Sequence, residues 1–106
     1  MPTRVLISMT VKPGAGDDFV AAYQIVRPRV ATVEGYHGEE LLADQTDPNR
    51  FLLVSLWESK DVFLKWQKAP VHVEMTREMH PYFAKSSDIR YYEVKVGPVR
   101  SEATNG

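Results

Sequence analysis

Leu56-Trp57-Glu58-Ser59-Lys60-Asp61-Val62-Phe63-Leu64-Lys65-Trp66, with Ala69-Pro70-Val71-His72 close behind, reads as a strand running directly into a capped helix. Ser59 carries the short hydroxyl that accepts a backbone N–H at a helix start, so it divides the two elements. Val62, Phe63 and Trp66 then share one face of a helix spanning Lys60 to Lys68. Pro70 suits the first turn of a second helix, reaching to about Ala84, with Val71, His72, Met75, Met79, Tyr82 and Phe83 near one stripe. The chain has two tryptophans, both in this stretch. Aromatics of that size either fill a core or line a cavity, and the choice bears directly on whether the protein is an enzyme.

Working outward, residues 36–44 and 51–58 alternate as strands, and Asp47-Pro48-Asn49-Arg50 supplies the turn between them. Thr3 to Val11 is almost wholly apolar or β-favouring, as in a strand covered on both faces, and Pro13-Gly14-Ala15-Gly16 stops it. Phe19, Ala22, Tyr23, Val26, Val30 and Val33 recur at helical steps, which predicts a helix over residues 15–33 ended by Gly35. Pro28 lies inside that span, so a kink or break is expected near Gln24 to Arg27. Ile89 to Val96 alternates as a last strand. The order β-α-β-β-α-β predicts an α+β ferredoxin-like fold, an antiparallel sheet with helices on one face. One domain over residues 1–97 and a loose tail over 98–106 follow.

Neither face of residues 51–58 is polar: Phe51, Leu53 and Trp57 fall on one, Leu52, Val54 and Leu56 on the other. The helix-free face is therefore expected to bury itself against a second copy, through a two-fold axis. At 106 residues and 43% hydrophobic content the chain can form one small core, which pairing would supplement. Thirteen basic and fourteen acidic residues leave a net charge of −1, with no basic run suited to nucleic acid. The absence of cysteine excludes disulfides, thiolate nucleophiles and Cys-ligated metals. No apolar run approaches a membrane span, and a cytoplasmic location is the default expectation.

The chain resembles the antibiotic biosynthesis monooxygenase family over roughly residues 3–96. The resemblance rests on the element order, Val11-Lys12-Pro13-Gly14, Gly35-Tyr36-His37-Gly38, and Trp57-Glu58-Ser59 leading into Phe63-Leu64-Lys65-Trp66. It implies a dimeric α/β barrel and a cofactor-free monooxygenase acting with O2 on a planar phenolic or polycyclic molecule, polyketide- or quinol-like. Other members of the family degrade haem or act as cyclases, so haem chemistry, cyclisation or isomerisation, and a non-enzymatic small-molecule-binding dimer stand as alternatives. In the haem-degrading branch a strand asparagine, a tryptophan and a histidine iron ligand recur. Here Trp66 matches the tryptophan, while Ile7 and Met75 occupy the other two positions, with His72 or His80 as ligands in a shifted register.

Two residues stand out as catalytic candidates. His72 lies on the sheet-facing stripe, and a neutral imidazole takes a proton from a phenol or activated C–H; the competing reading is a partly buried histidine bonded to a carbonyl. Trp66, which the resemblance places over a cavity, offers an N–H donor and a stacking face; the competing reading is core. Trp57 reads as core or dimer interface. For substrate binding, Tyr23 and Arg27 would bring a donor and a cation to a pocket mouth beside the Pro28 kink, or be a core tyrosine with a solvated arginine. Ile7, Phe63, Met75 and Met79 would form the apolar box. His37 and His80 read as surface or loop residues, Glu39-Glu40 as a charged strand end or interface rim, and no ligand spacing points to a metal.

Overall fold

A computed structural model describes residues 2–85 and 87–98. Four strands, β1 (Thr3–Thr10), β2 (Tyr36–Ala43), β3 (Arg50–Trp57) and β4 (Asp88–Glu93), form one sheet in the order β2-β3-β1-β4. Every neighbouring pair is antiparallel. The helices are α1 (Gly16–Val26), α2 (Lys60–Lys68) and α3 (Pro70–Met79). This is the expected ferredoxin-like α+β arrangement.

Two prolines, Pro28 as expected and Pro81 in addition, shape the helical layer. The α-helix ends at Val26, and the chain continues as a tighter 3-10 turn, Arg27–Thr32, with Pro28 near its start. Proline lacks the N–H that the α-helical ladder would need there, so the single helix predicted over 15–33 becomes two segments. Pro81 acts the same way beyond α3, which stops at Met79 rather than near Ala84 and gives way to a short 3-10 turn, His80–Tyr82. Ser59 caps α2 as its sequence suggests, accepting from the Val62 N–H at 3.3 Å. β4 is shorter than the expected 89–96, ending at Glu93, although the Val94 N–H still bonds the Pro2 carbonyl at 2.9 Å. Beyond Pro98 the predicted tail lies outside the described residues.

Register decides which side chains meet the helices. Ile7 stands opposite Leu53 and Ile89, Met9 opposite Phe51, and Val5 opposite Ser55 and Tyr91, all on the helical side. Leu6 opposite Val54 and Ser8 opposite Leu52 look the other way. The helical side holds two clusters. One joins Met9, Val11, Phe19, Tyr23, Val26, Phe51 and Met79; the other joins Val5, Val30, Trp57, Phe63 and Trp66. Ile7 and Met75 pack against both. Trp57 is core: it is 1% exposed, meets Tyr36 and Phe63 edge-on, and donates through Nε1 to Ser55 Oγ at 2.9 Å.

Gly35 makes the turn into β2 with φ +89°, a conformation glycine reaches without a Cβ clash. Its carbonyl accepts from the Glu58 N–H at 2.8 Å, which ties this turn to the end of β3. Among the described residues no helix is long and apolar enough to cross a membrane.

Candidate active site

Between the helices and the sheet lies a chamber of about 280 Å³. β1 and β3 supply its floor through Ile7, Met9 and Leu53. Phe19, Tyr23 and Val26 enter from α1, and Phe63 and Gln67 from α2. His72, Met75, Thr76 and Met79 enter from α3, and Phe83, Ser87 and Ile89 complete the wall. The spacing of His72, Met75, Thr76 and Met79 puts them on one helical face, which is why α3 contributes so heavily. No Asp, Glu, Lys or Arg is among these lining residues, so His72 is the single side chain there that titrates near neutral pH.

His72 is held in one orientation. Its Nδ1 lies 3.1 Å from the Gln67 carbonyl oxygen. A carbonyl only accepts, so the neutral ring carries its proton on Nδ1 and leaves the Nε2 lone pair available. Burial pushes the imidazole below its ordinary value of 6.5, with the Gln67 hydrogen bond opposing that shift. The result is a neutral, oriented base in an apolar wall.

Six of the residues anticipated from sequence lie together in the chamber wall: His72, Tyr23, Ile7, Phe63, Met75 and Met79. Trp66 and Arg27 do not line it. Trp66 is 8% exposed and packs with Val5, Val30, Trp57 and Phe63, and its outer edge faces a surface groove with Arg29, Val33 and Val71. Its link to the chamber runs through His72, whose ring it meets edge to face at 5.3 Å. Phe63, one turn earlier on α2, takes the chamber-facing place. Arg27 is exposed; its guanidinium sits 5.6 Å over the Tyr23 ring and donates to the Glu39 carbonyl at 3.3 Å. It braces the outside of α1 instead of opening a mouth.

Several lining residues escape a reading of the sequence. Thr76 was within reach, since it follows His72 by four residues on a helix. Gln67 carries no local signal beyond its place next to Trp66, and Ser87 belongs to a loop. Glu39 departs from its expected role at a strand end: it stands opposite Ser55 on the helical side, and burial alone raises its carboxyl to about 7. His37 and His80 are exposed. Among the described residues no three His, Cys, Asp or Glu side chains are grouped to hold a metal ion.

Residues 2–78 match the antibiotic biosynthesis monooxygenase family. Protein SchA of Streptomyces halstedii is 32% identical over 88 residues, 83% of this chain. The 42.8 kDa protein of the whiE locus of Streptomyces coelicolor is 31% identical over the same length. The chain spans only 23% and 22% of the length of those two relatives. Among solved structures, SnoaB from Streptomyces nogalater, a cofactor-independent oxygenase, superposes with a TM-score of 0.79 at 16% identity, over 91% of this chain and 95% of that one. A conserved protein from Methanosarcina mazei gives 0.80 at 16% identity, over 90% and 94%. These likenesses show a shared fold, and the family match carries further: the chain belongs to the antibiotic biosynthesis monooxygenase family.

Proposed function

We propose that this protein is a cofactor-independent monooxygenase-type enzyme that oxidises a planar phenolic or quinol-like molecule with O2, using His72 as base. One observation carries the reading: an imidazole oriented through Nδ1 lines an apolar chamber with no Asp, Glu, Lys or Arg among its described lining residues. SnoaB, with the same fold, is a cofactor-independent oxygenase, which supports the reaction class.

Nε2 removes a proton from a ring hydroxyl or an activated ring CH2. The delocalised anion passes one electron to O2, the radical pair recombines to a carbon-bound peroxide anion, and the His72 imidazolium returns its proton to give the hydroperoxide. Loss of water then leaves a ring carbonyl, so one oxygen atom enters the product and the other departs in water. Electrons come from the substrate, and the protein contributes orientation, a dry wall and the base. A positioned base of this kind contributes ~10²–10⁴ in rate. The chamber lies at the small end of ligand pockets, which run about 300–1,000 Å³, and so fits about two or three fused rings.

Haem fits this chamber poorly. Met75 and Ile7 stand where the haem-degrading branch has its histidine ligand and its asparagine, which leaves His72, in a shifted register, as the one imidazole in the wall. Pairing with a second copy is supported by the helix-free face of the sheet, where Leu6, Leu52, Val54 and Leu56 stand half-buried beside the more exposed Leu42 and Tyr92.

The test is oxygen uptake with 1,8-dihydroxyanthrone. His72→Ala is expected to lower turnover at least tenfold while circular dichroism stays unchanged. Full turnover in that variant removes His72 from the mechanism, and product formation without oxygen uptake favours a cyclase.

A further inference from the structure

The hydroxyl of Tyr23 is the single buried side-chain polar atom without a hydrogen-bond partner among the described residues. The residue is 8% exposed and lines the chamber from α1. Its ring belongs to the cluster of Met9, Phe19, Phe51 and Met79, so a phenylalanine would fill the same space. Leaving a hydroxyl buried and unpaired costs about 1–3 kcal/mol, and folding alone gives no return for it. A buried group of this kind calls for a partner from outside the chain, a water or a bound molecule. Outside the chamber the Arg27 guanidinium lies over the face of the same ring, and a cation there draws electron density from the phenol and favours its O–H as a donor.

We infer that Tyr23 is a specificity-determining residue whose O–H donates to an acceptor oxygen of the substrate, a ring carbonyl or the phenolate formed by deprotonation. The inference rests on the reading of the chamber as a substrate site. It adds a second fixed point to that site: His72 on α3 receives the proton, and Tyr23 on α1 holds the oxygen on which the negative charge collects. In a wall without a formal positive charge, this dipole is the group suited to that task. The chamber then selects oxygenated rings over hydrocarbons of the same outline, because a site built around a polar partner discriminates against a ligand that leaves it unpaired.

The experiment compares 1,4-naphthoquinone, which has acceptor oxygens alone, with naphthalene, by equilibrium dialysis against wild type and Tyr23→Phe. The chain has no cysteine to add to the quinone. Wild type is expected to hold the quinone about tenfold more tightly than naphthalene, the worth of one buried hydrogen bond. Tyr23→Phe is expected to reduce that preference to below about twofold without weakening naphthalene, and to melt at or above the wild-type temperature. A preference that survives in Tyr23→Phe overturns the proposal, as does a melting temperature several degrees lower, which marks the hydroxyl as structurally bonded. A wild type that binds neither ring, or both equally, also overturns it. His72→Ala, dialysed alongside, separates the two readings. It is expected to keep the quinone preference, and if oxygen uptake also persists in it, the base assignment falls while that of Tyr23 stands.

Discussion

The indole of Trp66 stands edge to face against the imidazole of His72, ring centroids 5.3 Å apart, on the side away from the chamber. Together with the Gln67 carbonyl it seals one flank of the histidine from water. Burial accordingly depresses the imidazole pKa below 6.5. The base form therefore persists to more acidic pH than in a free histidine, and the acid limb of kcat/KM is expected to have its midpoint below pH 6.5. Stability follows the same sign: it is whole above pH 6.5 and declines as pH falls through the depressed value, because the unfolded chain takes the proton first. Trp66→Phe, which thins the seal, is expected to move the kinetic midpoint upward toward 6.5. A midpoint above 6.5 in wild type, read from a pH–rate profile, contradicts the desolvated setting.

Glu39 titrates in the opposite sense. Its folded value of about 7 lies above the ordinary 4.5, so the folded state binds the proton more tightly and stability falls as pH rises from 4.5 to 7. Glu39→Gln is expected to stabilise the protein at pH 8 by on the order of 1–2 kcal/mol, after allowance for solvent screening. At pH 4.5 the same variant is expected to change little. Urea denaturation at both pH values, at one protomer concentration, gives the answer; an equal gain at both removes titration as the cause.

Gly35 is fixed by two independent constraints. Its φ of +89° disfavours any Cβ, and a Cβ built there meets Val62 Cγ1 at 2.9 Å and Glu58 Oε2 at 3.2 Å. Gly35→Ala is expected to cost about 2–3 kcal/mol, measurable as a lower urea midpoint with an unchanged slope. A cost below about 0.5 kcal/mol means that the turn relaxes without strain.

Val54 lies opposite Leu6 on the helix-free face of the sheet. If a second copy covers that face, Val54→Asp buries a carboxylate at the interface and is expected to yield monomers in light scattering with the far-ultraviolet spectrum retained. A wild type that is already monomeric rules out the pairing.

Sequence pattern discloses the sheet and the helices because each is a local signal: a β-favouring apolar run in Thr3–Thr10, helical steps in Gly16–Val26, the Ser59 cap before Lys60. The prolines are equally local, and Pro28 breaks the first helix where its chemistry requires. What periodicity leaves open is which of two neighbours on one helical face meets a cavity. Phe63 and Trp66 are equivalent by spacing, and only the arrival of α3 across α2 gives the chamber to Phe63 and the flank of His72 to Trp66. The inward turn of Glu39 is hidden for a similar reason, since it depends on the bulge between Tyr36 and Gly38 that resets β2 against β3.

The helical layer contains two aromatic assemblies, one centred on Phe19 and one on Trp57, and Ile7 and Met75 are the residues that both of them touch. Each assembly is held by its own ring contacts, and each also presents a ring to the gap between them, Phe19 from one and Phe63 from the other. Both bridging side chains also line that gap. Changing positions 7 and 75 therefore alters the shape of that gap while the ring contacts on either side stay in place.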